Sequence, residues 1–218
     1  MLIPVVRGGA TEQIDLVPSK IIGIGTNYRA HAVEMGKGLP EEPLMFLKPT
    51  SALCGDGASI ERPSGYERVD YEGELGVVIL ARTRRIPRER ALEAVMGFTC
   101  INDVSVRDLQ KRDGQWARAK GFDTFCPLGP RIVAGLDPSN LRITTRVNGE
   151  VRQDSTTADL IFDVPALIAF ASEHMTLEAG DVITTGTPAG VGNLAPGDTV
   201  SIEIEGIGVL TNRVIARP

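Results

Sequence analysis

The sequence predicts an α+β fold in which short β-strands dominate and helices are few. Short apolar or alternating runs recur along the chain and are separated by turn residues, with 24 glycines and 14 prolines among 218 residues. Helical patterns are irregularly spaced between these runs, so we do not expect a regularly wound βαβ sheet. A hydrophobic content of 42% is enough for one core, and we predict a single domain spanning residues 1–218.

The strand predictions rest on these short runs and on the turns between them. Two of the runs are joined by Asn148-Gly149, a dipeptide typical of a two-residue hairpin. Residues 1–17 contain no predicted strand and are interpreted as a short N-terminal extension. The predicted strands are residues 21–25, 45–47, 76–80, 97–102, 131–134, 142–147, 181–184, 200–204 and 208–216.

Four segments have helical character. The first begins with Asn27 as its N-cap and ends at Gly36, and the last has Asp163 as its cap with Pro165 in the first turn. Apolar side chains in the last segment recur at helical spacing. The four predicted helices are residues 27–36, 87–97, a short segment within 102–112, and 163–175.

Charge and cysteine content exclude several classes of protein. A formal net charge of −5 and a pI near 5.2 argue against a general nucleic-acid binder. No apolar run reaches the roughly 18 residues of a transmembrane span, and the N-terminus lacks a signal-peptide pattern. The three cysteines are widely spaced and odd in number, which is typical of free thiols in a reducing cytoplasm.

The stretch RVDYEGELGVVIL, residues 68–80, places carboxylates on a strand that becomes apolar on both faces. Alternation along a strand puts Asp70, Glu72 and Glu74 on one face, which continues into Gly76 and Val78. Buried like charges cost several kcal/mol unless they are neutralised. The alternative is a solvated face, as in VSIEIEG (residues 200–206), where polar and apolar residues simply alternate.

A divalent cation would neutralise these carboxylates. A third ligand is needed from elsewhere, and Asp103, at the end of an apolar run, is the best candidate. Oxygen ligands of this kind select Mg²⁺, Mn²⁺ or Ca²⁺ and not zinc. The predicted metal ligands are therefore Glu72, Glu74 and Asp103.

Three other groups of residues could take part in chemistry. His31 and Glu34 share a helix face, which suits a general base oriented by a carboxylate, although a surface pair would show the same spacing. Lys120 lies in a segment bounded by Gly and Pro, where a solvated lysine is the alternative. The loop TTGTPAGVG, which contains Gly186 and Thr187, could present donors to an anion or be a plain turn.

Seven motifs, taken together and in order, resemble the fumarylacetoacetate hydrolase superfamily. Within it the chain is most similar to the short single-domain branch of acylpyruvases and oxaloacetate decarboxylases. The resemblance covers roughly residues 18–216. The motifs are IIGIGTNYRAHAVEMG, EPLMFLKPTSAL, VDYEGELGVVI, GFTCINDVSVRDLQ, WARAKGFDTFCPLGP, VNGEVRQDSTTADLIF and LEAGDVITTGTPAGVG.

The resemblance implies a mixed β-roll or sandwich with a few peripheral helices, and commonly a homodimer. It implies that Mg²⁺ or Mn²⁺ is the bound ion, with Ca²⁺ as an alternative occupant in a crystal. It assigns residues 27–40 to an active-site lid. Roles are implied for individual residues: metal binding for Glu72, Glu74 and Asp103, water activation for His31 and Glu34, a place facing the substrate for Lys120, and substrate contacts for Thr187, Gly186, Gln110 and Lys48.

The activity implied by the resemblance is hydrolysis of the C–C bond of acylpyruvate-type 2,4-diketo acids, giving pyruvate and a carboxylic acid. Decarboxylation of oxaloacetate, or isomerisation of 2-hydroxyhepta-2,4-diene-1,7-dioate or 5-carboxymethyl-2-hydroxymuconate, stays open because these reactions share the motifs. A non-enzymatic metal-binding dimer is the remaining alternative. It is disfavoured because a structural site would need the three ligands but not His31, Glu34 and Lys120.

Overall fold

The structure, a computed structural model, describes residues 1–34, 36 and 38–217. Met35 and Lys37, which belong to the predicted lid, and Pro218 lie outside the described residues. The α-helices are α1 (Arg29–Glu34), α2 (Arg107–Asp113), α3 (Ala117–Lys120) and α4 (Val164–His174). Three short 3₁₀ helices span Thr50–Ala52, Arg88–Ala94 and Thr157–Asp159.

Strands make up most of the regular structure, which confirms the predicted α+β class. They are β1 (Leu2–Arg7), β2 (Ala10–Asp15), β3 (Ile21–Gly25), β4 (Leu44–Lys48), β5 (Leu53–Gly55), β6 (Ser59–Arg62), β7 (Val69–Tyr71), β8 (Gly73–Ile79), β9 (Val95–Asn102), β10 (Ser105–Val106), β11 (Cys126–Val133), β12 (Arg142–Val147), β13 (Glu150–Thr156), β14 (Val182–Thr184), β15 (Gly192–Asn193), β16 (Thr199–Ile204) and β17 (Gly208–Ala216).

The strands form three sheets. The main sheet has nine strands in the order β2-β1-β11-β9-β8-β14-β3-β4, with β5 also paired to β11. A five-stranded sheet has the order β13-β12-β16-β17-β6, and a small sheet joins β10, β7 and β15. No strand was predicted in the N-terminal extension, residues 1–17, and this was wrong: residues 2–15 form the hairpin β1–β2, which joins the main sheet through parallel pairing of β1 with β11.

The central strand β8 is buried on both faces, as predicted. Leu75, Val77 and Ile79 pack into one core cluster with the inner face of the five-stranded sheet and with α4. Val78, on the opposite face, packs into a second cluster that includes residues of β9 and α2. Glu74 precedes Gly76 and Val78 on this second face, so its carboxylate starts from the interior of the protein.

Two predicted elements were wrong in detail. Residues 87–97 do not form an α-helix: a 3₁₀ helix ends at Ala94, and Val95 already pairs with Ile79 in the main sheet. A β-branched side chain favours the strand conformation over the helical one, so a valine that can pair in a sheet does so. Helix α1 begins at Arg29 and not at an Asn27 cap, because the Asn27 side chain hydrogen-bonds to the backbone of Phe162 and Thr185.

Other local predictions were confirmed. The Asn148-Gly149 turn joins β12 to β13 with positive φ at both residues. Asp163 caps α4 by accepting a hydrogen bond from the backbone N–H of Ala166 at 3.0 Å, with Pro165 in the first turn. Within the described ranges, no helix is long and apolar enough to cross a membrane.

The buried Asp181 carboxylate ties the loop before β3 to the loop before β14. It accepts hydrogen bonds from the backbone N–H and hydroxyl of Ser19 at 2.9 and 2.7 Å, and it pairs with Lys20. Burial alone would raise the pKa of Asp181, but these donors and the backbone N–H of Glu178 hold it below its ordinary value. The ionised carboxylate therefore stabilises the fold.

We expect Asp181→Asn to lower the free energy of unfolding at pH 7 by about 2 kcal/mol, the range of hydrogen bonds to a charged group. Since the folded pKa is depressed, this contribution is complete above the ordinary Asp range near pH 4 and is lost as the pH falls below it. Urea titrations at pH 7 and at lower pH measure the difference. Asp154→Asn, which removes an exposed pair with Arg142, is the control; a loss as large there would contradict the assignment.

Candidate active site

The site is built where the chain passes from the small sheet to the main sheet. At Glu72, between β7 and β8, the backbone leaves the ladder: its N–H donates to the Asn102 side chain at 3.0 Å. Its carbonyl accepts from the N–H of Asp103 at 2.9 Å. The predicted single strand over residues 68–80 is therefore two strands with a break. This break places Glu72 beside Asp103, at the ends of two neighbouring strands.

Three buried carboxylates meet at this break, as the sequence predicted. One oxygen from each of Glu72, Glu74 and Asp103 lies within 4.8 Å of the others. Asp70, which strand alternation placed in the same row, does not join this carboxylate trio. Its oxygens instead accept from Arg68 Nε and Arg107 Nε, each at 2.8 Å. The break at Glu72 resets the alternation and turns Asp70 toward the arginines.

Buried cations surround the carboxylate trio. Lys120 Nζ lies 2.5 Å from Glu72 Oε2 and 2.6 Å from Asp103 Oδ2. Lys48 Nζ lies 2.5 Å from Asp103 Oδ1, and Arg107 Nη2 lies 2.6 Å from Glu72 Oε1. Burial alone would raise the pKa of Glu72, but Lys120 and Arg107 hold it at about 2. Burial alone would lower the pKa of Lys120, but Asp103 and Glu72 raise it, so the ammonium stays charged.

Glu74 is the carboxylate that these cations leave uncompensated. Burial raises its pKa well above the ordinary value, and the charges of Asp103 and Glu72 raise it further. It accepts a hydrogen bond from the backbone N–H of Gly186 at 2.7 Å. Among the described residues, no lysine or arginine nitrogen lies within ion-pair distance of it.

The residues present fit a divalent cation. Four buried carboxylates, including Asp70, face three buried cations: Lys48, Arg107 and Lys120. With every carboxylate ionised, these buried groups carry one excess negative charge (−4 + 3 = −1), and Glu74 is the member without an ion-pair partner among the described residues; the exposed Arg68, which also binds Asp70, is outside this sum. A divalent ion held by three oxygen ligands would change that to +1 (−1 + 2), which suits an anionic substrate.

A cavity of about 420 Å³ opens over Glu72 and Glu74, and Asp103 lies outside its lining. Its wall includes Glu72, Glu74 and Lys120 on one side and His31 from α1. His31 Nδ1 lies 2.9 Å from Glu34 Oε2, and Glu34 also accepts from the backbone N–H of Gly190 at 3.2 Å. With Nδ1 occupied by the carboxylate, His31 Nε2 is the nitrogen left for the cavity.

The remaining predicted contacts take different positions. Thr187 and Gln110 line the cavity. The Thr187 hydroxyl donates to the carbonyl of Gly73 at 3.0 Å and accepts from Gln153 at 2.8 Å. Lys48 lies behind Asp103, outside the cavity lining, and Gly186 holds Glu74 by its backbone N–H.

Sequence reasoning missed several residues of the cavity wall: Arg68, Arg107, Lys111 and Trp116. A signal existed for one of them. Arg107 lies three residues before Gln110, so both share a face of α2, and Arg107 Nη1 donates to Gln110 Oε1 at 2.8 Å. Trp116 packs edge-on against Phe46 with ring centroids 5.2 Å apart, a contact between distant segments that no local pattern indicates.

The chain is similar to proteins of one family over nearly its whole length. Residues 20–215 match the family model described as Fumarylacetoacetate (FAA) hydrolase C-terminal. An uncharacterized protein of Archaeoglobus fulgidus is 56% identical over 200 residues, which is 92% of this chain and 80% of that protein. Oxaloacetate tautomerase YisK of Bacillus subtilis is 46% identical over 211 residues, covering 90% of this chain and 70% of YisK.

Solved structures show the same likeness. The crystal structure of 5-carboxymethyl-2-hydroxymuconate delta-isomerase from Mycobacterium smegmatis matches with a TM-score of 0.88 and 52% sequence identity. The match covers 93% of this chain and 81% of the isomerase chain.

Proposed function

The chain belongs to the fumarylacetoacetate hydrolase family, and from that premise we propose that it is a divalent-metal-dependent enzyme that acts on small 2-oxo acids through an enolate. The observation that carries this proposal is the buried carboxylate trio, of which Glu72 and Glu74 line a cavity that Lys120 and His31 also line. A structural metal site would need the trio but not a charged lysine and an oriented histidine beside it.

Glu72, Glu74 and Asp103 would hold the ion, for which we propose Mg²⁺ or Mn²⁺. When bound, such an ion acts as a Lewis acid that withdraws electron density from the 2-oxo group of a substrate. Lys120 contributes a fixed positive charge where the 2-oxo oxygen becomes negative. Thr187 lines the cavity, and its hydroxyl would have to exchange its hydrogen bond to the Gly73 carbonyl for one to the substrate carboxylate.

His31 is the proposed base. Glu34 holds its Nδ1, so Nε2 accepts the proton from carbon 3 of the 2-oxo acid. The C–H electron pair forms the C2–C3 double bond, and the carbonyl pair moves to the 2-oxo oxygen. Return of the proton to that oxygen completes keto–enol tautomerisation. Return at a different carbon of a conjugated acid completes isomerisation. The names of the two relatives above, a tautomerase and an isomerase, support proton transfer of this kind.

Hydrolysis of acylpyruvates is the second candidate, and the same histidine supports it. His31 Nε2 would take a proton from water, and the hydroxide would attack the distal acyl carbonyl. The C3–C4 bond would then break with its electron pair passing into the enolate of pyruvate. The products are a carboxylic acid and, after protonation at carbon 3, pyruvate. Because this reaction also needs His31, Lys120 and the carboxylate trio, only turnover measurements separate the two candidates.

A substrate panel with Mg²⁺ and with Mn²⁺ tests both candidates. It contains oxaloacetate, acetylpyruvate, fumarylpyruvate and a hydroxymuconate diacid. We expect tautomerisation or isomerisation with the highest kcat/KM, and C–C hydrolysis of acetylpyruvate as the slower or absent reaction. A higher kcat/KM for acetylpyruvate hydrolysis would make the chain an acylpyruvase. No turnover of any of the four would refute the proposed function.

We further propose that residues 27–40 close over the cavity when substrate binds. The described part of this segment already contacts the cavity region, since His31 lines the cavity and Glu34 accepts from the N–H of Gly190, the neighbour of the lining residue Val191. Oxalate, which resembles the enolate of pyruvate, should slow amide hydrogen exchange of α1 when Mg²⁺ is present. Peptides from α4 are the internal control. Equal exchange of α1 with and without oxalate would count against closure.

The three cysteines are free thiols, which supports our proposal of a reducing, cytoplasmic location. We also propose that the protein is a homodimer, in accord with the family resemblance. Sedimentation velocity measures the oligomeric state; a monomer at micromolar concentration would contradict the dimer.

A further inference from the structure

The backbone of Gly190 connects helix α1 to the interior of the protein. Its N–H donates to both carboxylate oxygens of Glu34, at 3.2 and 3.4 Å, and its carbonyl accepts from the Tyr71 hydroxyl at 2.8 Å. Glu34 Oε2 in turn lies 2.9 Å from His31 Nδ1. An unbroken series of hydrogen bonds therefore leads from Tyr71 through Gly190 and Glu34 to His31.

The Glu34 carboxylate has few other constraints. Glu34 is the last residue of a six-residue helix, and its side chain is 38% exposed. Among the described residues, no lysine or arginine nitrogen lies within ion-pair distance of its carboxylate. A half-exposed glutamate at a helix end has several rotamers open to it, so an added contact is needed to fix it. The Gly190 N–H supplies that contact from outside α1.

The position of Gly190 is itself closely defined. Its φ is +98°, in the left-handed region that favours glycine. A Cβ added to Gly190 would lie 2.1 Å from the carbonyl oxygen of Arg152 on β13, so the backbone passes that strand where no side chain fits. The Tyr71 hydroxyl holds the Gly190 carbonyl from the other direction. Gly190 can therefore present its N–H to Glu34 at a fixed place.

Tyr71 is the rigid end of this series of hydrogen bonds. It is 3% exposed, belongs to a core cluster, and pairs with Gly192 in the small sheet. Burial raises the pKa of Tyr71 to about 12, so its hydroxyl stays a donor at physiological pH. Tyr71 also directly precedes Glu72 in the sequence. One short segment thus carries a member of the carboxylate trio and the anchor of the Gly190 backbone.

We propose that Tyr71 and Gly190 are positioning residues for the proposed base: they hold Glu34, which fixes the proton of His31 on Nδ1 and leaves Nε2 free for proton transfer. An ionised carboxylate only accepts hydrogen bonds, so a fixed Glu34 selects this tautomer. Neither Tyr71 nor Gly190 belongs to the described cavity lining, so both act through Glu34. This inference rests on the proposed function, since that function assigns proton transfer to His31.

The tautomer of His31 is measured directly by ¹⁵N NMR of the histidine side chains, on the full chain with Mg²⁺ at pH 8, where an ordinary imidazole is neutral. The sequence contains two histidines, so His174→Ala assigns the remaining signals to His31. We expect wild type to show one fixed tautomer with the proton on Nδ1. In Tyr71→Phe and Gly190→Ala, both nitrogen shifts should move toward the averaged values of an imidazole that exchanges tautomers.

The kinetic measurement is solvent deuterium exchange at carbon 3 of oxaloacetate. Tyr71→Phe should lower kcat about fivefold, the factor of one lost neutral hydrogen bond, and leave KM nearly unchanged because no substrate contact is lost. Gly190→Ala should lower kcat by on the order of 10²-fold, because an added methyl group displaces the backbone that holds Glu34.

Each variant has a matched control that should equal wild type in His31 shifts and in kcat. For Tyr71→Phe it is Tyr66→Phe, whose ring packs edge-on against Phe122 with centroids 5.9 Å apart. For Gly190→Ala it is Gly197→Ala: Gly197 has a φ of +99°, but among the described residues no heavy atom lies within 4 Å of a Cβ added there. The second control separates backbone strain from displacement of the Glu34 contact.

Unchanged His31 nitrogen shifts in both Tyr71→Phe and Gly190→Ala would overturn the positioning role, even if Tm fell. A raised KM with unchanged kcat would also overturn it, because the two residues would then act on substrate binding. A His31 tautomer that is fixed in wild type and lost in both variants, in a protein that turns over no 2-oxo acid, would support the positioning role and refute the proposed function.

Discussion

Glu74→Gln is expected to lower kcat/KM by on the order of 10³-fold, because a ligand of a Lewis-acid ion that contributes several kcal/mol to the transition state is lost. Glu74 is the cleanest position in the carboxylate trio for this test. Glu72 and Asp103 each hold a lysine, so their neutralisation also strands a buried cation. No such partner is lost with Glu74, and glutamine keeps its size.

Although Glu74→Gln should lower activity, it should stabilise the folded protein when the ion is absent. Burial and the charges of Asp103 and Glu72 raise the pKa of Glu74 in the folded protein above 4.5. The metal-free protein therefore loses stability as the pH rises above 4.5, because the unfolded chain releases this proton more readily than the folded protein does. Glu74→Gln removes this cost. We therefore expect its Tm in EDTA at pH 8 to equal or exceed that of wild type, and its Tm increase on adding Mg²⁺ or Mn²⁺ to be much smaller.

The control is Glu203→Gln, in the other Glu-x-Glu of the chain, on the exposed face of β16. It should match wild type in activity, Mn²⁺ affinity and Tm. Full wild-type activity after exhaustive EDTA treatment, or unchanged Mn²⁺ affinity in Glu74→Gln, would show that the carboxylate trio is not a metal site.

His31→Ala is expected to slow tautomerisation of oxaloacetate, and any hydrolysis of acetylpyruvate, by on the order of 10²–10⁴-fold, the usual cost of losing a general base. Decarboxylation of oxaloacetate should fall far less. That reaction breaks a C–C bond and removes no proton from carbon 3, so the carboxylate trio and Lys120 suffice. The measurement is kcat for the three reactions with wild type and variant.

The matched control is His174→Ala, at the second of the two histidines in the sequence. His174 lies at the end of α4, with Nδ1 2.8 Å from the carbonyl of Phe170, and it lines no described cavity. Glu34→Gln should give an intermediate loss, because it removes the acceptor that orients His31. If His31→Ala slowed decarboxylation as much as tautomerisation, His31 would be a general positioning group and not the base.

The fold class, most strands, helix α4 and the carboxylate trio follow from the sequence because their causes are local. Alternation along a strand and the sudden change to an apolar face at Gly76 are visible within 13 residues. The cap at Asp163 and the Asn148-Gly149 turn depend on backbone preferences of single residues. Motif order along the chain identified the family, which the match over residues 20–215 confirms.

The local patterns failed where long-range pairing decided the outcome. Val95 has helix-compatible neighbours, yet it pairs with Ile79 because the main sheet offers a half-buried ladder position. The pattern of residues 68–80 predicts one strand. In the structure the side chain of Asn102 accepts a hydrogen bond from the N–H of Glu72, and the segment is interrupted there. A competing partner 30 residues away leaves no trace in a window of local sequence.

By itself, the sequence determined which groups are available for chemistry: three carboxylates, one histidine–glutamate pair and one lysine, on elements that local rules predict. Only the tertiary structure decided how their charges balance. It placed Lys120 between Glu72 and Asp103, left Glu74 without an ion-pair partner among the described residues, and turned Asp70 toward Arg68 and Arg107. Electrostatic energy depends on distance and burial, and both are set by which strands and helices meet and not by spacing along the chain.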